Sequence, residues 1–292
     1  MRRQDLTPRQ RAVWPVGGQF LQAPPLAMAH RGGANYAANA GIENSVQAVR
    51  NAVELGYQYI EIDVRASADG VAFVLHDPDL ARVAGTDRPI HTMTAGEVRS
   101  ATLSGGEPIP ALRELLEEFG RTRFNIDVKS DDALAPVLAD LDGADAYWRV
   151  LIGSFDHQRL QRARAARPQL ATSASPRESI GVRLGLGRLR RLAARNGVLC
   201  LQVPLTYRGQ KVLTPGAIRR AHAQHLQVHV WTIDDAATMN ELLDLGVDGI
   251  ITDRIDVLKE VLIRRGQWAG SDVGEQSGQG PRDAVQIEGT DE

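Results

Sequence analysis

The sequence predicts an α/β protein, a (β/α)8 TIM barrel with a short insertion after the hairpin of its second strand. Three observations carry this. Eight strand-like runs alternate with helix-like segments, and such alternation implies parallel pairing with right-handed crossovers. The chain has 292 residues, 43% of them hydrophobic, enough for one large barrel core. Charged and titratable residues collect at the C-terminal ends of the strand-like runs, where barrels of this kind carry their active sites. A doubly wound sheet is the structural alternative, and the strand count favours the barrel.

The elements follow in order. LAMAH (26–30) is the first strand. Asn44 is expected to cap a helix whose apolar residues are Val46, Val49, Ala52 and Val53, stopped at Gly56. YQYIEIDVR (57–65) is the second strand. Ala68-Asp69-Gly70 is a turn signal, and VAFVLH (71–76) returns as a hairpin partner. Residues 77–110 are rich in Gly, Thr and Pro, have few periodic runs, and form the insertion. After Pro110, Leu112, Leu115, Leu116 and Phe119 share a helical face that Gly120 ends. FNIDV (124–128) is a strand, followed by helix through Leu141. RVLIGS (149–154) is a strand, and Asp156 caps the next helix. PQLATS (168–173) is a strand, and 178–196 reads as an Arg-rich helix and loop. VLCLQVP (198–204) precedes a helix over 214–225 that begins after Thr214-Pro215. LQVHVW (226–231) is followed by a helix carrying Met239, Leu242 and Leu243 and ended by Gly246. DGIIT (248–252) and a helix over 256–264 close the series.

Around this core, residues 1–25 read as an N-terminal arm, 26–265 as the barrel domain, and 266–292 as a tail. The tail is rich in Gly, Ser, Gln and acids and has too little apolar surface to offset ordering, so disorder is expected. The start, MRRQDLTPRQRAVWP, is basic with no apolar run behind it, unlike a signal peptide. No stretch approaches the ~18–20 apolar residues of a membrane-spanning helix. The expectation is a soluble, cytoplasmic protein. A net charge of −2 argues against non-specific nucleic-acid binding. Cys200 is the only cysteine, which excludes an internal disulfide and a cysteine-rich metal site; it reads as a small buried residue. GLG within 181–195 lacks the setting of a nucleotide loop. His91, His157, His222, His225 and His229 read as surface or structural, with His229 two residues from Trp231 on one strand and so able to approach a pocket.

The chemistry begins with Glu61 and Asp63. Strand periodicity puts them on one face, with Ile60, Ile62 and Val64 on the other. A barrel strand has both faces covered, so the acids cannot occupy a solvated face. Two carboxylates ~4 Å apart repel by about 4 kcal/mol at an effective dielectric of 20. A shared proton, a basic residue or a divalent cation must offset that, and oxygen ligands without cysteine suit Mg2+ or Ca2+. Other strand ends supply His30-Arg31, His76-Asp77, Asp127 with Lys129 at spacing two, and Trp231. Singly, each also reads as structural: a strand-end histidine, a solvated lysine, a core tryptophan. Jointly they suit phosphoryl transfer. Arg31 offers a planar fork to phosphate and Lys129 a point charge. His30 and His76 titrate near neutrality, so one can accept a proton while the other donates.

The pattern AHRGG (29–33), ENS (43–45), YIEIDVRASADGVAFVLHD (59–77), NIDVK (125–129), VWTID (230–234) and LGVDGIITDR (245–254) resembles the glycerophosphodiester phosphodiesterase family across roughly residues 26–264. The resemblance implies a metal-dependent hydrolysis of glycerophosphodiesters to sn-glycerol 3-phosphate and an alcohol. It implies His30 and His76 as acid and base. Glu61, Asp63 and Asp127 would be ligands of one Mg2+ or Ca2+ ion, and Arg31 and Lys129 would bind phosphate. Trp231 would stand beside the glycerol part. Glu43 and Asn44 match the family's EN motif as residues behind the site or on the metal. Departures are Asp127 where Glu is commoner, one methylene shorter; Ser45 where Thr is usual; and Arg254 where Pro is frequent. The short insertion is expected to leave the alcohol side open to several headgroups. Two other readings stand beside this one: a related barrel cleaving a lysophospholipid or sphingolipid headgroup, and a non-catalytic phosphate-ligand-binding barrel. The partner expected is a small-molecule glycerophosphodiester. The oligomeric state is not legible.

Overall fold

The computed structural model describes residues 20–185, 197–207 and 209–270. The chain runs through β1 (Leu26–His30), β2 (Tyr59–Ala66), β3 (Ala72–Val74), β4 (Asp79–Leu80), β5 (Thr86–Pro89), β6 (Arg123–Val128) and β7 (Val150–Gly153). It continues through β8 (Ala171–Ser173), β9 (Val198–Pro204), β10 (Thr206–Tyr207), β11 (Gln210–Lys211), β12 (Gln227–Trp231) and β13 (Gly249–Thr252). Eight of these, β1, β2, β6, β7, β8, β9, β12 and β13, pair in parallel, and β1 bonds to both β2 and β13, which closes the ring. The predicted eight-stranded barrel is therefore the observed one. Closure leaves none of the eight with an open edge.

β3 pairs antiparallel with β2 in the expected hairpin, with Val64 opposite Val74 and Gly70 in the turn at φ 79°. The eight barrel strands carry apolar residues outward, where Ile60, Ile62, Val64, Phe124, Ile126 and Val128 meet the helices in the main core. The helix Val46–Glu54 buries Ala48, Val49 and Ala52 on one face. Its cap is Ser45, whose Oγ accepts from the Ala48 N–H at 3.0 Å, rather than the expected Asn44. Asn44 instead adopts a left-handed conformation, φ 63°, which asparagine tolerates and which turns its amide into the barrel. Asp156 caps the helix His157–Ala166 as expected, accepting from Arg159 N–H at 2.6 Å. The helix expected over 178–196 runs from Pro176 to Leu184; positions 186–196 lie outside the described residues.

The N-terminal end of the barrel is plugged. Phe20 is fully buried against the edge of Tyr59, with centroids 5.4 Å apart, beside Leu26, Met28, Leu151 and Cys200. Burial pushes the Cys200 thiol well up, so it is an inert apolar filler. The expected N-terminal arm falls largely on residues 1–19, outside the described residues. Of the expected tail, Trp268 packs edge-on against Tyr57 at 5.1 Å, and residues 271–292 lie outside the described residues. No described helix is long and apolar enough to cross a membrane.

Residues 77–110 form a small body with its own core. Leu80, Val83, Ile90, Met93, Val98, Leu103 and Ile109 are buried there against Phe73 and Leu75, around the β4–β5 pair and the short helices Ala81–Ala84 and Ala95–Ser100. These pieces are too short for their sequence periodicity to show.

His229 faces inward but does not reach the cavity at the other end. It is fully buried, with Nε2 3.0 Å from Gln227 Oε1, and Gly249 leaves room for its ring. Burial pushes its pKa down to about 4, against a weaker opposing pull from Asp248. An unfolded chain takes up that proton near pH 6.5, the folded chain only near 4. Stability from this site is therefore complete above pH 6.5 and lost as pH falls toward 4, by up to about 3 kcal/mol. In urea titrations, His229→Gln should flatten the acid limb of stability against pH between 6.5 and 4. An unchanged slope would show that the ring is not buried neutral.

Candidate active site

The site lies at the C-terminal end of the barrel. His30, Arg31, Glu61, Asp63, His76, Asp127, Lys129 and Trp231 all line one cavity of about 540 Å3. Barrel register brings them together: His30 pairs with Glu61 across β1 and β2, and Asp63 with Asp127 across β2 and β6. Glu43 and Asn44 stand behind this lining.

The first strand ends in His30-Arg31-Gly32-Gly33, and the glycines are a packing requirement. Gly32 has φ 81°, and a Cβ there would sit 2.9 Å from the Ala48 backbone; Gly33 has φ 96°, and its Cβ would sit 2.7 Å from Ile255. The buried Asn39 amide donates to both glycine carbonyls at 3.0 Å and fixes the loop. His30 is thereby aimed inward, with Nδ1 2.7 Å from Asp253 Oδ1 and Nε2 3.7 Å from Glu61 Oε2. Burial lowers the His30 pKa, but Glu61 and Asp253 outweigh it and the net shift is upward. Asp253 is held in turn: its N–H donates to Asp234 Oδ1 at 2.8 Å, and the Thr252 hydroxyl donates to the same oxygen at 2.9 Å.

His76 follows β3 and presents the same arrangement. Its Nδ1 is 2.7 Å from Asp77 Oδ1, and its carbonyl accepts from Arg65 Nε at 2.8 Å. Both histidines thus have Nδ1 committed to an aspartate; among the described residues, Nε2 of each is outside hydrogen-bond reach of a carboxylate, that of His30 facing Glu61 Oε2 at 3.7 Å.

The acids and bases between them form a chain. Asp63 is almost wholly buried, with one oxygen 2.8 Å from Lys129 Nζ and the other 3.1 Å from Arg31 Nε and 3.2 Å from Asn44 Nδ2. Burial alone would raise its pKa, but Lys129 and Arg31 outweigh it and hold the carboxyl below the usual range. Lys129 Nζ also donates to Asp127 Oδ2 at 2.6 Å and lies 5.8 Å over the Phe155 ring. Phe155 meets Trp231 edge-on at 5.8 Å, forming an aromatic corner of the cavity.

Among the described residues, the remaining wall carries no acid and one base, Arg183. The inward positions there are Gly153, Ser173 and Gln202, from β7, β8 and β9, while Leu201, Val203, Leu213 and Ile218 line an apolar flank.

A family model described as the glycerophosphoryl diester phosphodiesterase family matches residues 30–257. The chain belongs to the glycerophosphoryl diester phosphodiesterase family. A Mycobacterium tuberculosis relative named "Probable glycerophosphodiester phosphodiesterase 2" is 41% identical over 254 residues, covering 84% of this chain and 94% of the relative. A crystal structure of a glycerophosphodiester phosphodiesterase from Parabacteroides distasonis superposes with a TM-score of 0.68 at 26% identity, covering 83% of this chain and 98% of that one. An Oleispira antarctica phosphodiesterase, solved in complex with the product sn-glycerol-3-phosphate, has the same fold. Its TM-score is 0.67 at 22% identity, with 82% of this chain and 97% of that one covered.

Whether the family's site in this chain suits a divalent cation can be tested on its acceptors. Glu61 is buried, and its one ion-pair partner among the described residues is His30. Burial, with Asp63 adding, pushes its pKa up to about 8. Asp127 Oδ1 and Asn44 Oδ1 are buried without hydrogen-bond partners. This is a surplus of hard oxygen acceptors, the chemistry that Mg2+ and Ca2+ take. Among the described residues, no three His, Cys, Asp or Glu side chains are disposed around one point as a finished metal cage. The Lys129 ammonium stands between Asp63 and Asp127.

Sequence reasoning missed Asp253 and Arg82. Asp253 lies in TDR (252–254), where nothing local ties it to a histidine 223 positions away. Arg82 lies in the insertion and had no signal at all.

Proposed function

We propose that this cavity hydrolyses glycerophosphodiesters to sn-glycerol 3-phosphate and an alcohol, by acid–base catalysis from His30 and His76. The observation that carries this is the pair of histidines, each fixed through Nδ1 by an aspartate and each lining the cavity that also holds Arg31 and Lys129. Phosphodiester hydrolysis needs a proton taken from the nucleophile and one given to the leaving oxygen. Two separately oriented imidazoles supply both. Arg31 and Lys129 are held by Asp63, Glu43 and Asp127, so their charges are in position before substrate arrives. Trp231 and Phe155, both on the cavity lining, would pack against the glycerol carbons. Glu61, Asp63 and Asp127 would hold one Mg2+ or Ca2+ ion. Such an ion neutralises phosphate charge and lowers the pKa of a coordinated hydroxyl. The product complex of the Oleispira barrel supports the choice of product.

The apolar flank of Leu201, Val203, Leu213 and Ile218 favours a second reading, an alcohol carrying an acyl chain. One experiment tests both. Purified protein with glycerophosphocholine should release sn-glycerol 3-phosphate and choline. Release of phosphocholine, or no turnover with a divalent ion present, overturns the first reading. A kcat/KM on lysophosphatidylcholine more than tenfold above that on glycerophosphocholine establishes the second; a value below it removes it.

A further inference from the structure

We propose that Arg82, carried by the insertion, is a positioning residue of the active site: one guanidinium fixes the orienting carboxylates of both His76 and Arg31. The inference rests on the hydrolase reading above and extends it to a residue outside the barrel. Arg82 Nε donates to Asp77 Oδ2 at 2.6 Å, and the other oxygen of that carboxylate bonds His76. Arg82 Nη1 and Nη2 donate to the two oxygens of Glu43 at 2.7 and 2.8 Å, and Glu43 Oε1 also accepts from Arg31 Nη1 at 2.9 Å. His76 and Arg31 come from separate elements. Arg82 is the side chain that touches the partners of both.

Local structure explains why it points there. Leu80 and Val83, on either side of Arg82, are buried in the insertion's own core. The Val83 carbonyl accepts from Ser104 N–H at 2.7 Å, and Gly85 ends the turn at φ 67°. With positions 80 and 83 turned inward, position 82 is left facing the barrel mouth. The guanidinium fork suits the task, because three N–H groups reach two carboxylates at once; an ammonium is a single point. Without it, the Asp77 carboxylate is free to rotate about its own axis, and His76 loses the acceptor that sets its ring. Glu43 would then be held by Arg31 alone.

The Arg82 side chain is 50% exposed, so its ion pairs contribute little to folding. That separates a positioning role from a structural one. Arg82→Ala should lower kcat on glycerophosphocholine about 10- to 100-fold, the range typical of partners that orient site residues. The midpoint of thermal unfolding should stay within a few degrees of the parent's, and added methylguanidinium should restore part of the lost kcat. A kcat within twofold of the parent overturns the inference, as does a loss that tracks a lowered unfolding midpoint or that methylguanidinium leaves untouched. If the parent itself does not turn over, the hydrolase reading fails instead. The two failures are therefore distinguishable.

Discussion

Replacing His30 or His76 by alanine is expected to lower kcat on a glycerophosphodiester by about 10³-fold or more, within the range that a positioned acid or base supplies. The loss should be similar for the two variants, because each step of the reaction needs both proton transfers. Neither substitution removes core. Both rings line the cavity, and their aspartates keep other partners: Asp77 retains Arg82, and Asp253 retains its backbone tie to Asp234. The far-UV circular dichroism and the thermal midpoint should therefore match the parent's. A variant retaining more than about a tenth of the parent kcat would remove that histidine from the proton chemistry.

The second large effect expected is from removal of the proposed divalent ion. Dialysis against EDTA should lower activity by about 10²-fold or more, and Mg2+ or Ca2+ should restore it. The physical reason lies in Glu61, whose buried carboxylate has His30 as its one ion-pair partner among the described residues, and in Asp127 Oδ1 and Asn44 Oδ1, buried without hydrogen-bond partners. A cation that binds the folded chain only must also raise its unfolding midpoint. That rise should disappear in Asp63→Asn, a readout independent of turnover. Full activity in excess chelator would overturn the metal assignment. Metal–oxygen distances of about 2.0–2.1 Å would identify Mg2+, and about 2.3–2.6 Å Ca2+.

The sequence made the barrel and most of the residues that line its cavity legible because both are written locally. Glu61 and Asp63 share a face through strand periodicity, and Asp127 and Lys129 do so on and just past the neighbouring barrel strand. His30 and His76 each end an apolar run. What remained hidden depends on closure of the ring or on short elements. Asp253 meets His30 only because β13 pairs with β1. Arg82 sits in a helix of four residues, too short for any periodic signal. Asn44 read as a cap because its residue type favours one. The same type tolerates φ 63°, and the chain used that tolerance to reach Asp63 while Ser45 took the cap.

The cavity's two walls have different evolutionary liberties. Ion-paired residues on β1, β2 and β6 hold one another, so a change at Asp63 strands the charges of Arg31 and Lys129 at once. Gly153, Ser173 and Gln202, on the facing strands, have side chains that carry no charge. Substitutions can accumulate on that side without disturbing the ion pairs of the other wall. A lineage could therefore explore new alcohols by drift on one half of the ring while the other half kept the reaction constant.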